Sequence, residues 1–293
     1  MDSAVQTPRT IPNVLSIAGT DPTGGAGIQA DLKSIAAHRG YGMCAVTALV
    51  AQNTQGVRSI HVPPTSFLRE QLEAVSDDVA VDAVKIGMLG TAEIIAEVAA
   101  WWDETYRGPV AGGAGVHAAA PVLVVDPVMV ATSGDRLLEP EAEESLIEFL
   151  HRADLITPNV PELALLAAGE PAGSPEELIG QAETVADAHG AAVLAKGGHL
   201  GGDQVIDTLV FPAAEGKRPA AHQVSAPRVE TTSTHGTGCS VSAAMATLRA
   251  RGCSWEQALE NVKEWMTQAL GGADALDVGR GHGPVHHFAQ LYR

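Results

Sequence analysis

Val14-Leu15-Ser16-Ile17-Ala18 runs straight into Gly19-Thr20-Asp21-Pro22-Thr23-Gly24-Gly25-Ala26-Gly27. Ile28 to His38 follows, with Ile28, Leu32 and Ile35 on one helical face. A buried strand, a glycine-rich turn and an amphipathic helix make one βα unit. The pattern recurs along the chain. Met43 to Val50, Ala83 to Met88, Val122 to Val125, Leu155 to Thr157, Ala192 to Ala195 and Gln204 to Phe211 read as strands. Ser66 to Ala80, Ala92 to Tyr106, Ser240 to Ala250 and Trp255 to Leu270 read as helices, and Pro158 suits another helix start. Val122 to Val125 is apolar throughout, as a strand covered on both faces must be. Strands alternating with helices predict an α/β fold with a mostly parallel central sheet and helices on both faces. Residues 1–12 read as a flexible lead and 13–293 as a single domain. Gly108 to Ala120 reads as a surface loop.

The 293 residues carry 18 Lys and Arg against 35 Asp and Glu, a net charge of −17. Nucleic-acid binding needs a basic footprint, so this balance argues against it. A nucleotide site would depend on local devices: Mg²⁺, a lysine and backbone N–H groups. Cys44, Cys239 and Cys253 form no CxxC, which fits a reducing cytoplasm. Cys44 lies in an apolar run and is expected in the core. The N-terminus lacks the apolar segment of a signal peptide, and Asp126 interrupts the longest apolar stretch, so no membrane span is expected.

Ligands of such sheets bind at the C-terminal ends of the strands. Gly19–Gly27, Gln52, Asp126, Asn159 and Lys196 all fall there. His235-Gly236-Thr237-Gly238-Cys239 precedes the small, apolar run Ser240 to Ala246. A helix N-terminus carries free N–H donors and partial positive charge, an anion site that should also lower the pKa of a thiol. The same residues also suit a helix-capping turn with a core cysteine. Gly24-Gly25-Ala26-Gly27 lacks the Lys-Ser/Thr of a P-loop and is weak alone. Asp31 serves as dipole compensation or faces the cleft to orient a hydroxyl. Gln52, an amide at a strand end, either satisfies loop backbone or offers one donor beside one acceptor, matching an aminopyrimidine edge. Asn159 and Glu162, three apart on a first helical turn, suit either helix capping or a hydrated Mg²⁺, with Asp126 as a second carboxylate. Lys196 at a buried strand end suits phosphate. His282, His286 and His287 lack metal-ligand spacing and are expected in loops or an interface. No G-x-S-x-G elbow supports a hydrolase triad.

Together these residues resemble the hydroxymethylpyrimidine and phosphomethylpyrimidine kinases of thiamine biosynthesis, within the ribokinase-like superfamily. The matching segments are Ser16–Lys33, Val46–Thr54, Lys85–Leu89, Thr157–Glu162, Lys196–His199, Thr234–Cys239 and the tail Val278–Phe288. The resemblance implies Mg²⁺-dependent transfer from ATP to 4-amino-5-hydroxymethyl-2-methylpyrimidine and then to its monophosphate. It implies a pyrimidine pocket of Gln52, Asp31, Gly19, Val50 and Met88, and an anion hole of Gly236, Thr237 and Gly238. It places Cys239 where most of the superfamily carries a catalytic Asp. Asn159, Glu162 and Lys196 would organise nucleotide phosphates, with Glu162 and Asp126 toward Mg²⁺. Family habit implies a homodimer. Thr132 stands where many members have lysine, Ser233 replaces a common asparagine, and loop 108–120 is longer than usual. No fused thiamin-phosphate synthase domain is expected. The rival readings are a pyridoxal kinase and a non-catalytic pyrimidine sensor.

Overall fold

Short, wholly apolar runs become the centre of one sheet. The computed structural model describes residues 9–107, 120–129, 137–214 and 217–292. Among these, nine strands follow in chain order: β1 (Asn13–Gly19), β2 (Tyr41–Asn53), β3 (Gly56–His61), β4 (Ala83–Ile86), β5 (Val122–Val125), β6 (Leu155–Ile156), β7 (Ala192–Ala195), β8 (Gln204–Val210) and β9 (His222–Pro227). They pair in the order β3-β2-β1-β4-β5-β6-β7-β8-β9. The six from β2 to β7 run parallel, while β3, β8 and β9 pair antiparallel. This is the mostly parallel sheet that the alternating pattern predicts.

The helices are α1 (Gly27–Ala37), α2 (Thr65–Ser76), α3 (Ala92–Trp102), α4 (Glu143–Phe149), α5 (Val160–Leu166), α6 (Pro175–His189), α7 (Thr237–Ala250) and α8 (Trp255–Gly271). Strand side chains alternate between two helix layers, as the pleat requires. Leu15, Ile17, Leu123 and Val125 pack with α2 to α6. Val14, Val124 and Leu155 pack with α1, α7 and α8. No helix among the described residues is long and apolar enough to cross a membrane.

Three readings need correction. β3 and β9 lie at the two sheet edges, with exposed or alternating burial, so neither carries an apolar run to reveal it. Cys44 is exposed rather than core. It sits on β2, one strand from the sheet edge. His287 lies in a turn, as expected of a loop histidine, but is buried there, with Nε2 2.8 Å from Ser240 Oγ on α7. α7 also begins at Thr237, three residues before the expected start, which puts Cys239 inside its first turn. Loop residues 108–119 and Thr132 lie outside the described residues.

Candidate active site

Because the central strands are parallel, their C-terminal ends open on one side, and a cleft of about 740 Å³ lies there. Its wall follows the sheet order. Gln52 comes from β2, Gly19 from β1, Met88 from beyond β4, Asp126 from beyond β5, Asn159 from beyond β6 and Lys196 from beyond β7. The wall continues through Val205 of β8, Ala226 of β9 and Val262 and Met266 of α8.

Gln52 owes its aim to a break in register. The β2–β3 pairing shifts between Ala51 and Gln52, and a bulge of this kind redirects the side chain that follows it. The carboxamide lines the cleft and makes one long bond, from Nε2 to the Thr20 carbonyl at 3.4 Å. Its donor and acceptor therefore stay available to a ligand. Gly19, Val50 and Met88 line the same end. A side chain at Gly19 would come 2.6 Å from Met88 Cε, so glycine leaves that space to the methionine.

Asp31 does not reach the cleft wall. It is fully buried beneath it, with Lys85 Nζ 2.9 Å from each oxygen and Ser16 Oγ at 2.6 Å. Burial disfavours the Lys85 ammonium, but Asp31 beside it, with Cys239 and Asp126 nearby, outweighs burial and raises its pKa. A buried carboxylate needs such a partner. The partner is 54 residues away in sequence, which hides the pairing from a reading of either segment.

The turn before α7 brings a helix N-terminus to the cleft. Gly236 is the N-cap, at φ 78°, in the left-handed region that glycine tolerates. A Cβ there would also collide with the Gly25 carbonyl. Ser240 N–H donates to Gly236 O at 2.9 Å. The earlier amides of Gly238 and Cys239 have no helical carbonyl to bond, as at any helix start. The thiol departs from expectation. Burial pushes its pKa up to about 11, against the lowering pull of Lys85 and of the Gly27 N–H. The helix terminus and Lys85 together do not offset the loss of water.

Asn159 and Glu162 form a capping box on α5: Glu162 N–H donates to Asn159 Oδ1 at 2.9 Å and Asn159 N–H to Glu162 Oε2 at 2.8 Å. Both also line the cleft, so capping and cleft-facing coexist. Lys196 Nζ donates to Asp126 Oδ1 at 2.9 Å, and Thr157 Oγ1 to the same oxygen at 3.0 Å. Burial raises the Glu162 pKa to about 7, only partly opposed by Lys196. Two buried carboxylates thus share one ammonium, and a cation would complete the charge. Among the described residues, no three His, Cys, Asp or Glu side chains converge on one metal position. Mg²⁺ held between protein and phosphates needs only one or two carboxylates, so the pair Glu162 and Asp126 fits it.

The far end of the cleft is lined by Val205, Ala226, Leu259, Val262, Met266 and Leu270. Sequence reasoning missed this wall. Val262, Met266 and Leu270 recur at helical spacing and look like ordinary core. Ser233 is absent from the wall; its Oγ donates to Asp274 at 3.0 Å in a smaller neighbouring hollow.

Comparison with known proteins gives this geometry a family. The sequence profile of phosphomethylpyrimidine kinase matches residues 21–286. A hydroxymethylpyrimidine/phosphomethylpyrimidine kinase of Salmonella typhimurium is 45% identical over 94% of this chain and 97% of its own length. A thiamine biosynthesis multifunctional protein ThiED of Corynebacterium efficiens is 52% identical over 96% of this chain, which spans only 36% of that relative. Among solved structures, pyridoxal kinase from Staphylococcus aureus in complex with AMP-PCP and pyridoxal superposes with TM-score 0.81 at 29% identity, covering 97% of this chain and 96% of that one. Phosphomethylpyrimidine kinase from Clostridium difficile superposes with TM-score 0.71 at 34% identity, covering 88% and 99%. The chain belongs to the phosphomethylpyrimidine kinase family, and its fold is ribokinase-like.

Proposed function

From that membership we propose that the chain transfers phosphate from ATP to 4-amino-5-hydroxymethyl-2-methylpyrimidine, and then to the resulting monophosphate. The observation that carries this reading is Gln52, turned by the β2 bulge into the cleft that α7 enters with its N-terminus. Its carboxamide pairs with the ring nitrogen and exocyclic amine of an aminopyrimidine. The apolar wall between β8, β9 and α8 takes the nucleotide base. Lys196 and the first-turn amides of α7 face the phosphates between them.

Phosphoryl transfer needs positioning and charge stabilisation more than covalent chemistry. Gly236, Thr237 and Gly238 hold donors where negative charge develops. Mg²⁺, held by Glu162 and Asp126, would neutralise nucleotide phosphate charge. In its ionised form, the Cys239 thiolate receives the alcohol proton in the first step. Pyridoxal is the second reading, because the S. aureus kinase shares the fold over nearly its whole length. Pyridoxal has no matching donor–acceptor edge for Gln52. A non-catalytic sensor would have no use for Lys196, Glu162 and Cys239 around one cleft. Leu49, Ile60, Val62 and Phe67 are exposed on and beside the β2–β3 arm, apolar surface that suits a homodimer. The cysteines are unpaired, as a reducing cytoplasm allows.

Gln52→Leu tests the assignment. Leaving the pyrimidine edge unpaired costs about 1–3 kcal/mol, so the KM for the pyrimidine alcohol rises while the KM for ATP stays put. An unchanged pyrimidine KM removes Gln52 from recognition.

A further inference from the structure

Two glycine-rich loops far apart in sequence meet beside Cys239. His235 Nε2 lies 2.9 Å from Asp21 Oδ2, across 214 positions of chain. Asp21 is fully buried. Its Oδ1 accepts from Thr23 N–H at 2.9 Å and Thr23 Oγ1 at 2.7 Å, and its Oδ2 from Gly25 N–H at 3.0 Å and Ala26 N–H at 2.8 Å. One carboxylate therefore shapes the whole turn from Thr23 to Ala26. The next amide, Gly27 N–H, lies toward Cys239 and pulls the thiol's pKa down against burial. On the other side, His235 N–H donates to Gly283 O at 3.0 Å, and Gly236 begins the anion turn. The imidazole is the side-chain link between the loop that reaches Cys239 and the loop that carries the anion hole. The contact is close: a Cβ on Gly25 would come 2.6 Å from His235 Cδ2 and 3.0 Å from Pro284 Cβ. Lys33 braces the same turn, its Nζ donating to Gly24 O at 2.7 Å.

We propose that Asp21 and His235 are a positioning pair for phosphoryl transfer, locking the two loops so that Gly27 N–H, Cys239 and the first-turn amides of α7 keep one arrangement. The proposal rests on the kinase reading above. Neither side chain is assigned a contact with reacting atoms. Their work is geometric, and small misplacements of donors that act in the transition state reduce kcat rather than binding.

Two readouts on His235→Ala and His235→Gln test the pair. In steady-state kinetics, with the alcohol that the wild-type protein phosphorylates, His235→Ala lowers kcat by about 10–100-fold. The KM values for both substrates stay within about threefold. His235→Gln, whose side-chain N–H can still reach Asp21, recovers most of the loss. In hydrogen exchange, the segments 23–27 and 236–239 exchange about tenfold faster in His235→Ala, but not in His235→Gln. A wild-type kcat in His235→Ala, or glutamine as damaging as alanine, overturns the proposal. So does unchanged exchange in both loops. Should His235→Ala fail to fold, Gly25→Ala displaces the imidazole from within a complete chain and must show the same loss of kcat; a normal kcat there overturns the proposal. Wild-type protein inactive on either alcohol would contradict the kinase reading, while the exchange data would still decide the clamp.

Discussion

A thiol with a pKa of about 11 keeps its proton at neutral pH. Cys239 is therefore not a preformed thiolate, and any base role depends on a small ionised fraction of high basicity. The consequence differs between the two acceptors. An alcohol must lose its proton as the new bond forms, and a positioned base contributes about 10²–10⁴-fold. A phosphomonoester, with a second pKa of about 6, already presents an ionised oxygen. Cys239→Ala should therefore slow phosphorylation of the alcohol far more than phosphorylation of the purified monophosphate. Equal losses in the two single-step assays would mean that Cys239 serves packing or electrostatics instead. Residue identity was legible at such positions, but residue environment was less so. The helix terminus beside Cys239 is visible in Gly236-Thr237-Gly238, whereas the desolvation that overrides it arises from the tertiary fold. Asp31 and Cys44 fail in opposite directions for the same reason. Asp31 is drawn under the cleft by Lys85, and Cys44 is exposed on β2 although its run is apolar.

At the scale of elements, α5 carries two roles on one turn. Asn159 and Glu162 cap the helix reciprocally, and both face the cleft. Glu162→Gln separates the roles, because glutamine also completes a capping box but carries no charge. The expected result is a shift of the Mg²⁺ titration of activity to higher concentration, with a change in unfolding free energy below about 1 kcal/mol. An unaltered Mg²⁺ profile would leave Glu162 as a cap alone. Elements with continuous apolar stretches, such as β5 and β7, could be read directly from sequence, because burial on both faces leaves no room for polar residues. The edge strands β3 and β9 could not, since half-exposed strands carry polar residues that look like loop. The bulge that aims Gln52 was equally hidden, because it depends on pairing with β3 rather than on residue type.

At the scale of the whole molecule, the loop network has a signature in stability against pH. The buried Asp21 carboxylate is held at about 2, below its ordinary 3.8: burial opposes ionisation, and the bonds from His235, Thr23 and Ala26 outweigh it. A group depressed in the folded state stabilises above its unfolded pKa and loses that contribution as pH falls through its folded pKa. The contribution at neutral pH is about 2 kcal/mol. The difference in unfolding free energy between wild type and Asp21→Asn should be largest above pH 4 and shrink as pH falls toward 2. A constant difference across that window would assign the loss to packing alone. The direct test of the account lies in stoichiometry. Limiting 4-amino-5-hydroxymethyl-2-methylpyrimidine is incubated with excess MgATP, ADP is counted, and the product is identified by phosphorus NMR, with pyridoxal assayed in parallel. Two ADP per pyrimidine, a diphosphate product and weaker turnover of pyridoxal are the predicted result. Turnover of pyridoxal in preference to the pyrimidine, or no ADP from the pyrimidine at all, would contradict it.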